Sequence, residues 1–208
     1  MDVKKVVAAA TEIVAMLISA YRDARGVHAE TILGGAAALA GEWALRATGQ
    51  ILPEKGWVVG GAPDRFLYRA QSPNDLTMWM IIKKWAIKAG ATENQLPDPV
   101  RIVATVAKSI GRSPFPPLSI PAEHYPREWS PNACPRLRPQ VTAIAEKHHL
   151  SNQETAYAIA FAVADLIDKS KQAVAPHVAA TLAGEIMIGV SRMAPLKEPV
   201  GYSPPDTQ

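Results

Sequence analysis

VVAAATEIVAMLISAY, at Val6–Tyr21, decides the fold class. Its apolar members Val6, Val7, Ala10, Ile13, Val14, Leu17, Ile18 and Tyr21 recur at steps of three and four. That period draws one stripe along an α-helix, whereas a half-buried strand would alternate in twos. The charged YRDAR and then Gly26 predict its end. Outward from this segment the same period recurs. A second helix is expected from near His28 to Ala47, with Gly49 as a stop. Ser72-Pro73-Asn74-Asp75 reads as a cap with proline at the first helical position, ahead of LTMWMIIKKWAIKAG. That helix is apolar almost all round until Lys83, so it is expected to be central or to face a second chain. Asp98-Pro99 repeats the signal before VRIVATVAKSIG, which Gly111 closes. Ser151 and Glu154 form a capping box before TAYAIAFAVADLIDKSKQ, and a last helix follows Pro176 to about Met193.

Two stretches break the period. Trp57–Val59 and Arg65–Arg69 flank the turn-like GGAPD, which leaves room for one short β-hairpin. From Pro114 to Pro139 proline recurs so densely that no helix is expected to cross. This segment also carries Phe115, Leu118, Ile120, Tyr125 and Trp129, too apolar for a flexible tether. It reads as an extended strap packed on the helices, with Pro139 starting a short helix that ends near His148-His149. The expected architecture is all-α: about seven helices in a bundle-like single domain. The domain spans residues 1–195, the strap 112–139 lies within it, and residues 196–208 form a flexible C-terminal tail.

Composition narrows the function classes. With 48% apolar and 20% charged residues over 208 positions, the chain can bury a full core. A single Cys134 excludes an intramolecular disulfide, and no N-terminal segment has signal-peptide order, so a cytoplasmic location is expected. The most apolar runs, Val6–Ala20 and Ile32–Leu45, are broken by Glu12 and Glu42, short of a bilayer span of about 18 residues. No membrane association is expected. A net charge of +3 does not argue for nucleic acid. TVAKSIGRSP looks like the first helix and turn of a helix-turn-helix motif, but prolines stand where the recognition helix should follow.

Two segments, LAGEWAL at Leu39–Leu45 and LAGEIMI at Leu182–Ile188, each set a glutamate after small apolar residues. Projected on a helix, Glu42 falls at the edge of the stripe Ile32, Ala36, Leu39 and Trp43, four residues before Arg46. It is expected to lean to solvent as half of a surface ion pair. Glu185 falls inside the apolar arc of Val178, Leu182, Ile186 and Ile188. It is expected to be buried and paired with a cation or a hydrogen-bond donor. Gly34, Gly35, Ala38 and Gly41, like Ala180, Ala183 and Gly184, predict close approach of another helix. Neither a metal nor a cofactor is expected. His28 and Glu30, and His148 and His149, lack the i,i+3 or i,i+4 spacing of helical ligands, and Gly60-Gly61 is not a P-loop. Cys134 reads as unreactive.

The leading functional expectation is a protein acting through helix-mediated contacts, as a homodimer joined around Met78–Trp85. The alternative is an enzyme or small-molecule-binding protein with a polar inter-helix pocket built on Glu185, Glu42, His28 and His177.

Overall fold

A computed structural model describes residues 1–58 and 60–201. The first stripe forms helix α1, Val3–Tyr21, with Val6, Ala9, Ala10, Ile13, Val14 and Leu17 buried and the Asp2 carboxylate capping the Lys4 and Lys5 amides. A two-residue hairpin, β1 (Arg22–Asp23) and β2 (Gly26–Val27), reverses the chain into α2, Ala29–Arg46. There follow α3 (Asp64–Leu67), α4 (Met78–Lys88), α5 (Pro99–Ser109), α6 (Ala133–Lys147), α7 (Asn152–Ser170) and α8 (Pro176–Val190). The protein is a single all-α domain.

Its centre is made of the helices richest in alanine and glycine. Every residue of α2 from Glu30 to Leu45 is buried, and α8 is buried almost throughout from Val178 to Val190. These two helices pack on each other, α2 also packs on α7, and α1 and α4 lie against α7. Small side chains let the axes come close, since a Cβ on Gly41 would stand 2.3 Å from the Met187 carbonyl oxygen. Apolar burial around this contact is the main stabilising term of such a core.

The structure corrects several boundaries. Helix α4 begins at Met78 with Thr77 as its cap, not at Pro73, because the Asp75 carboxylate turns back onto the Gln71 and Ser72 amides and holds 72–75 as a turn. This helix is neither central nor open to solvent along its apolar run. Met78, Trp79, Ile81 and Ile82 are buried within the chain, while Met80 and Ile87 face outward. The hairpin expected between Trp57–Val59 and Arg65–Arg69 does not form there. Arg65–Leu67 lies in α3, Trp57 makes an isolated bridge to Met193, and Val59 lies outside the described residues. Asp64, expected in the turn, opens α3 and pairs with the buried Arg192.

A helix does enter the proline-rich segment. Helix α6 starts at Ala133, with Pro135 in the first turn, where its missing N–H would be unpaired anyway, and Pro139 inside. One internal hydrogen bond is lost there, and burial of Leu137 and Val141 offsets it. The extended part of the strap is therefore 112–132, interrupted by single 3₁₀ turns at Ala122–His124 and Ser130–Asn132. Of the tail expected from 196, the Leu196 carbonyl accepts from Arg138 and Val200 exchanges hydrogen bonds with Asn132. Residues 202–208 lie outside the described ones. No helix among the described residues is long and apolar enough to cross a membrane.

Candidate functional site

The two LAGE glutamates are both buried, and both end at or beside the strap. Glu42 is only 1% exposed, so the solvent-facing position expected of it is overturned. Its carboxylate accepts two hydrogen bonds from Arg138, at 2.6 and 2.8 Å, and one from Arg46 at 2.8 Å. Burial pushes the Glu42 carboxyl up, but the two guanidinium groups outweigh it and hold the group below the usual range. The helical projection failed because α2 has no solvent face near Glu42. Glu185 is buried as expected and is held by donors, not by a cation. It accepts from the Ser119 amide at 2.9 Å and the Ser119 hydroxyl at 2.5 Å. Burial raises its pKa, and the Ser119 hydrogen bonds offset only part of that.

A third carboxylate, Glu30, does the same work at the other end of α2. His28 Nε2 lies 3.3 Å from one of its oxygens and His124 Nδ1, on the strap, 2.8 Å from the other. Thr31 Oγ1 sits 2.8 Å from His28 Nδ1 and accepts from the Arg127 amide at 3.0 Å. Burial lowers the His28 pKa; Glu30 opposes this, and Arg127 and Arg25 add to it. Ser119, His124, Arg127 and Arg138 therefore tie the strap and the start of α6 to acids and a threonine of the central helices. Helical periodicity exposes none of these strap partners, because an extended segment has none.

The four residues expected to form one pocket are dispersed. His28 and Glu42 lie fourteen positions apart on α2, about 21 Å along the axis. His177 and Glu185 lie eight apart at one end and the middle of α8, about 12 Å. Glu42 borders a narrow cleft with Cys134, Met193 and Leu196, and Glu185 faces Ser119. His177 is half-buried, and its carbonyl accepts from Thr181. Cys134 is fully buried; burial, then the Glu42 charge, push its thiol well up and leave it a poor nucleophile. No group of three or more His, Cys, Asp or Glu among the described residues is placed to hold a metal ion.

What the anchored strap encloses is a different space. Between Phe115 and Ser130 it curves over α8 to leave a cavity of about 260 Å³, lined mainly by apolar groups. Phe115, Leu118, Tyr125, Trp129 and Ile186 supply its walls, with Arg112, Glu128 and Ser130 as polar members. Small residues seat the strap here. A Cβ on Gly189 would meet Pro116 at 2.4 Å, and one on Gly34 would meet the Ser130 hydroxyl at 2.4 Å. The Trp129 indole N–H is spent on the Phe115 carbonyl, which fixes the ring. Glu128 accepts from the Tyr21 hydroxyl at 2.6 Å and from Arg136 at 2.7 Å. Burial, then the Glu128 charge, raise the Tyr21 pKa, so the phenol stays a neutral donor.

No protein-family model, curated protein or solved structure matches this chain.

The polar groups of the cavity are not equal. Glu128 is neutralised by Arg136, and Trp129 is saturated. Ser130 is 4% exposed, and its hydroxyl makes no hydrogen bond among the described residues. That hydroxyl lies against α2, 2.4 Å from where a Cβ on Gly34 would stand, while Ser130 also lines the cavity.

Proposed function

We propose that the protein binds a small molecule in the cavity beneath the strap. The observation that carries this reading is an apolar, aromatic-walled space beneath the strap, lined by Phe115, Leu118, Tyr125, Trp129 and Ile186. Preformed sites of this kind hold ligands by apolar contact and orient them with few polar groups. The reading is one of binding and not of catalysis: Ser130 has no base bonded to it among the described residues, and Cys134 is shielded. In place of a pocket built on Glu185, Glu42, His28 and His177, this reading takes one whose strap is anchored by Glu185 and Glu30. A lone buried Cys134 supports a reducing, cytoplasmic setting.

Benzyl alcohol is a suitable first probe, followed through the indole N–H signal of Trp129 by heteronuclear NMR. The expected result is a saturable shift of that signal. Leu118→Trp, which fills the cavity from its wall, should abolish the shift while leaving the thermal midpoint within a few degrees. A probe that moves surface signals alone would reject the reading.

Self-association keeps a second place, on a specific observation. Val3, Val7, Met80 and Ile87 are each 41–54% exposed. A groove of about 310 Å³ between α1, α4 and α7 is lined by Val7, Val14, Trp85 and Phe161. A second copy would cover that face.

A further inference from the structure

The charges around the strap cavity are unbalanced, and this bears on what it binds; the inference rests on the binding reading above. Glu128 is the one carboxylate lining the space among the described residues, and its charge is met by Arg136 at 2.7 Å with Tyr21 as a further donor. Arg112 lines the same space, is exposed, and makes no ion pair among the described residues. With Glu128 and Arg136 cancelling, the cavity carries the uncompensated positive charge of Arg112 at its mouth. Inside stand aromatic and proline faces.

We propose that the ligand is a small monocarboxylic acid with a compact aromatic or branched apolar body. Its carboxylate pairs with Arg112 and its body lies against Trp129, Phe115 and Ile186. A guanidinium matches a carboxylate with two parallel N–H···O bonds. An amine would meet Arg112 as a like charge while competing with Arg136 for Glu128. A phosphate ester carries a second charge, for which the cavity offers no second free cation among the described residues.

The test compares benzoate, benzyl alcohol and benzylamine, probes that share a ring and differ in charge, by titration on the Trp129 indole signal. Benzoate should bind about threefold to fivefold more tightly than the other two, with an affinity that falls as salt rises. Arg112→Gln should remove that preference and leave benzyl alcohol within about twofold, and Arg112→Glu should turn the preference toward benzylamine. Arg112 is exposed, so neither variant threatens the fold. Benzyl alcohol or benzylamine binding as tightly as benzoate would overturn the carboxylate inference and leave the cavity reading standing. Failure of all three probes to move the Trp129 signal would overturn the cavity reading itself.

Discussion

Glu42 and Glu185 occupy matching tetrapeptides yet meet opposite chemistry. Glu42 is held by two guanidinium groups, so its removal strands charge in a protein interior. Glu42→Ala is expected to cost about 3 kcal/mol or more, as breaking a buried pair does. Glu185→Ala loses two hydrogen bonds from the uncharged donors of Ser119, strands no cation, and is expected to cost about 1–2 kcal/mol. Urea midpoints of the two variants check the order, which is the reverse of what the helical projection alone predicts. The pH dependence separates them again. Glu42 has a folded pKa below its ordinary value of 4.5. Its contribution is present above that value and is lost as pH falls through the folded one. Glu185 has its folded pKa raised above 4.5. Its contribution is largest below that value and declines as pH rises through the folded one. Between about pH 3 and pH 6, the advantage of the wild type over Glu42→Gln should grow, and its advantage over Glu185→Gln should shrink. Parallel denaturation series at fixed ionic strength measure both.

The helices of the centre depend on absent side chains. Alanine is a better helix former than glycine by about 1 kcal/mol, so propensity favours Gly41→Ala. Packing decides otherwise, because the new Cβ would stand 2.3 Å from the Met187 carbonyl oxygen and 3.1 Å from the Ser191 amide nitrogen. Backbone cannot step aside as a flexible side chain can. Gly41→Ala is therefore expected to destabilise the fold by about 2–3 kcal/mol, read by thermal or urea unfolding. Gly49, with a φ of +70° and open space where a Cβ would stand, marks a different need for glycine, that of a left-handed backbone after α2. The strap is the element that ties these observations together. Its prolines remove amide donors, so side-chain and amide bonds to Glu185, Glu30 and Thr31 hold it down in place of a regular ladder.

On the scale of the whole molecule, the apolar run Leu76–Ile82 no longer argues for a partner, since α7 and α8 cover most of α4. The groove between α1, α4 and α7, with Val7, Val14, Trp85 and Phe161 along it, is the apolar surface a second copy would cover. Sedimentation equilibrium at micromolar concentration is expected to show self-association that Val7→Lys weakens; a 22.3 kDa species alone would remove the homodimer reading. Local signals were enough to mark the all-α class and the starts of α1, α2, α5, α7 and α8. A three- to four-residue apolar period, the Asp98-Pro99 cap and the Ser151–Glu154 box act within a turn or two of the chain. The start of α6, the turn at Ser72–Asp75 and the partners of Glu42, Glu30 and Glu185 were decided only in three dimensions. Glu42 and Arg138 are 96 residues apart, as are Thr31 and Arg127. No periodicity relates such positions, and a buried charge takes its partner from whatever element the packed core brings beside it.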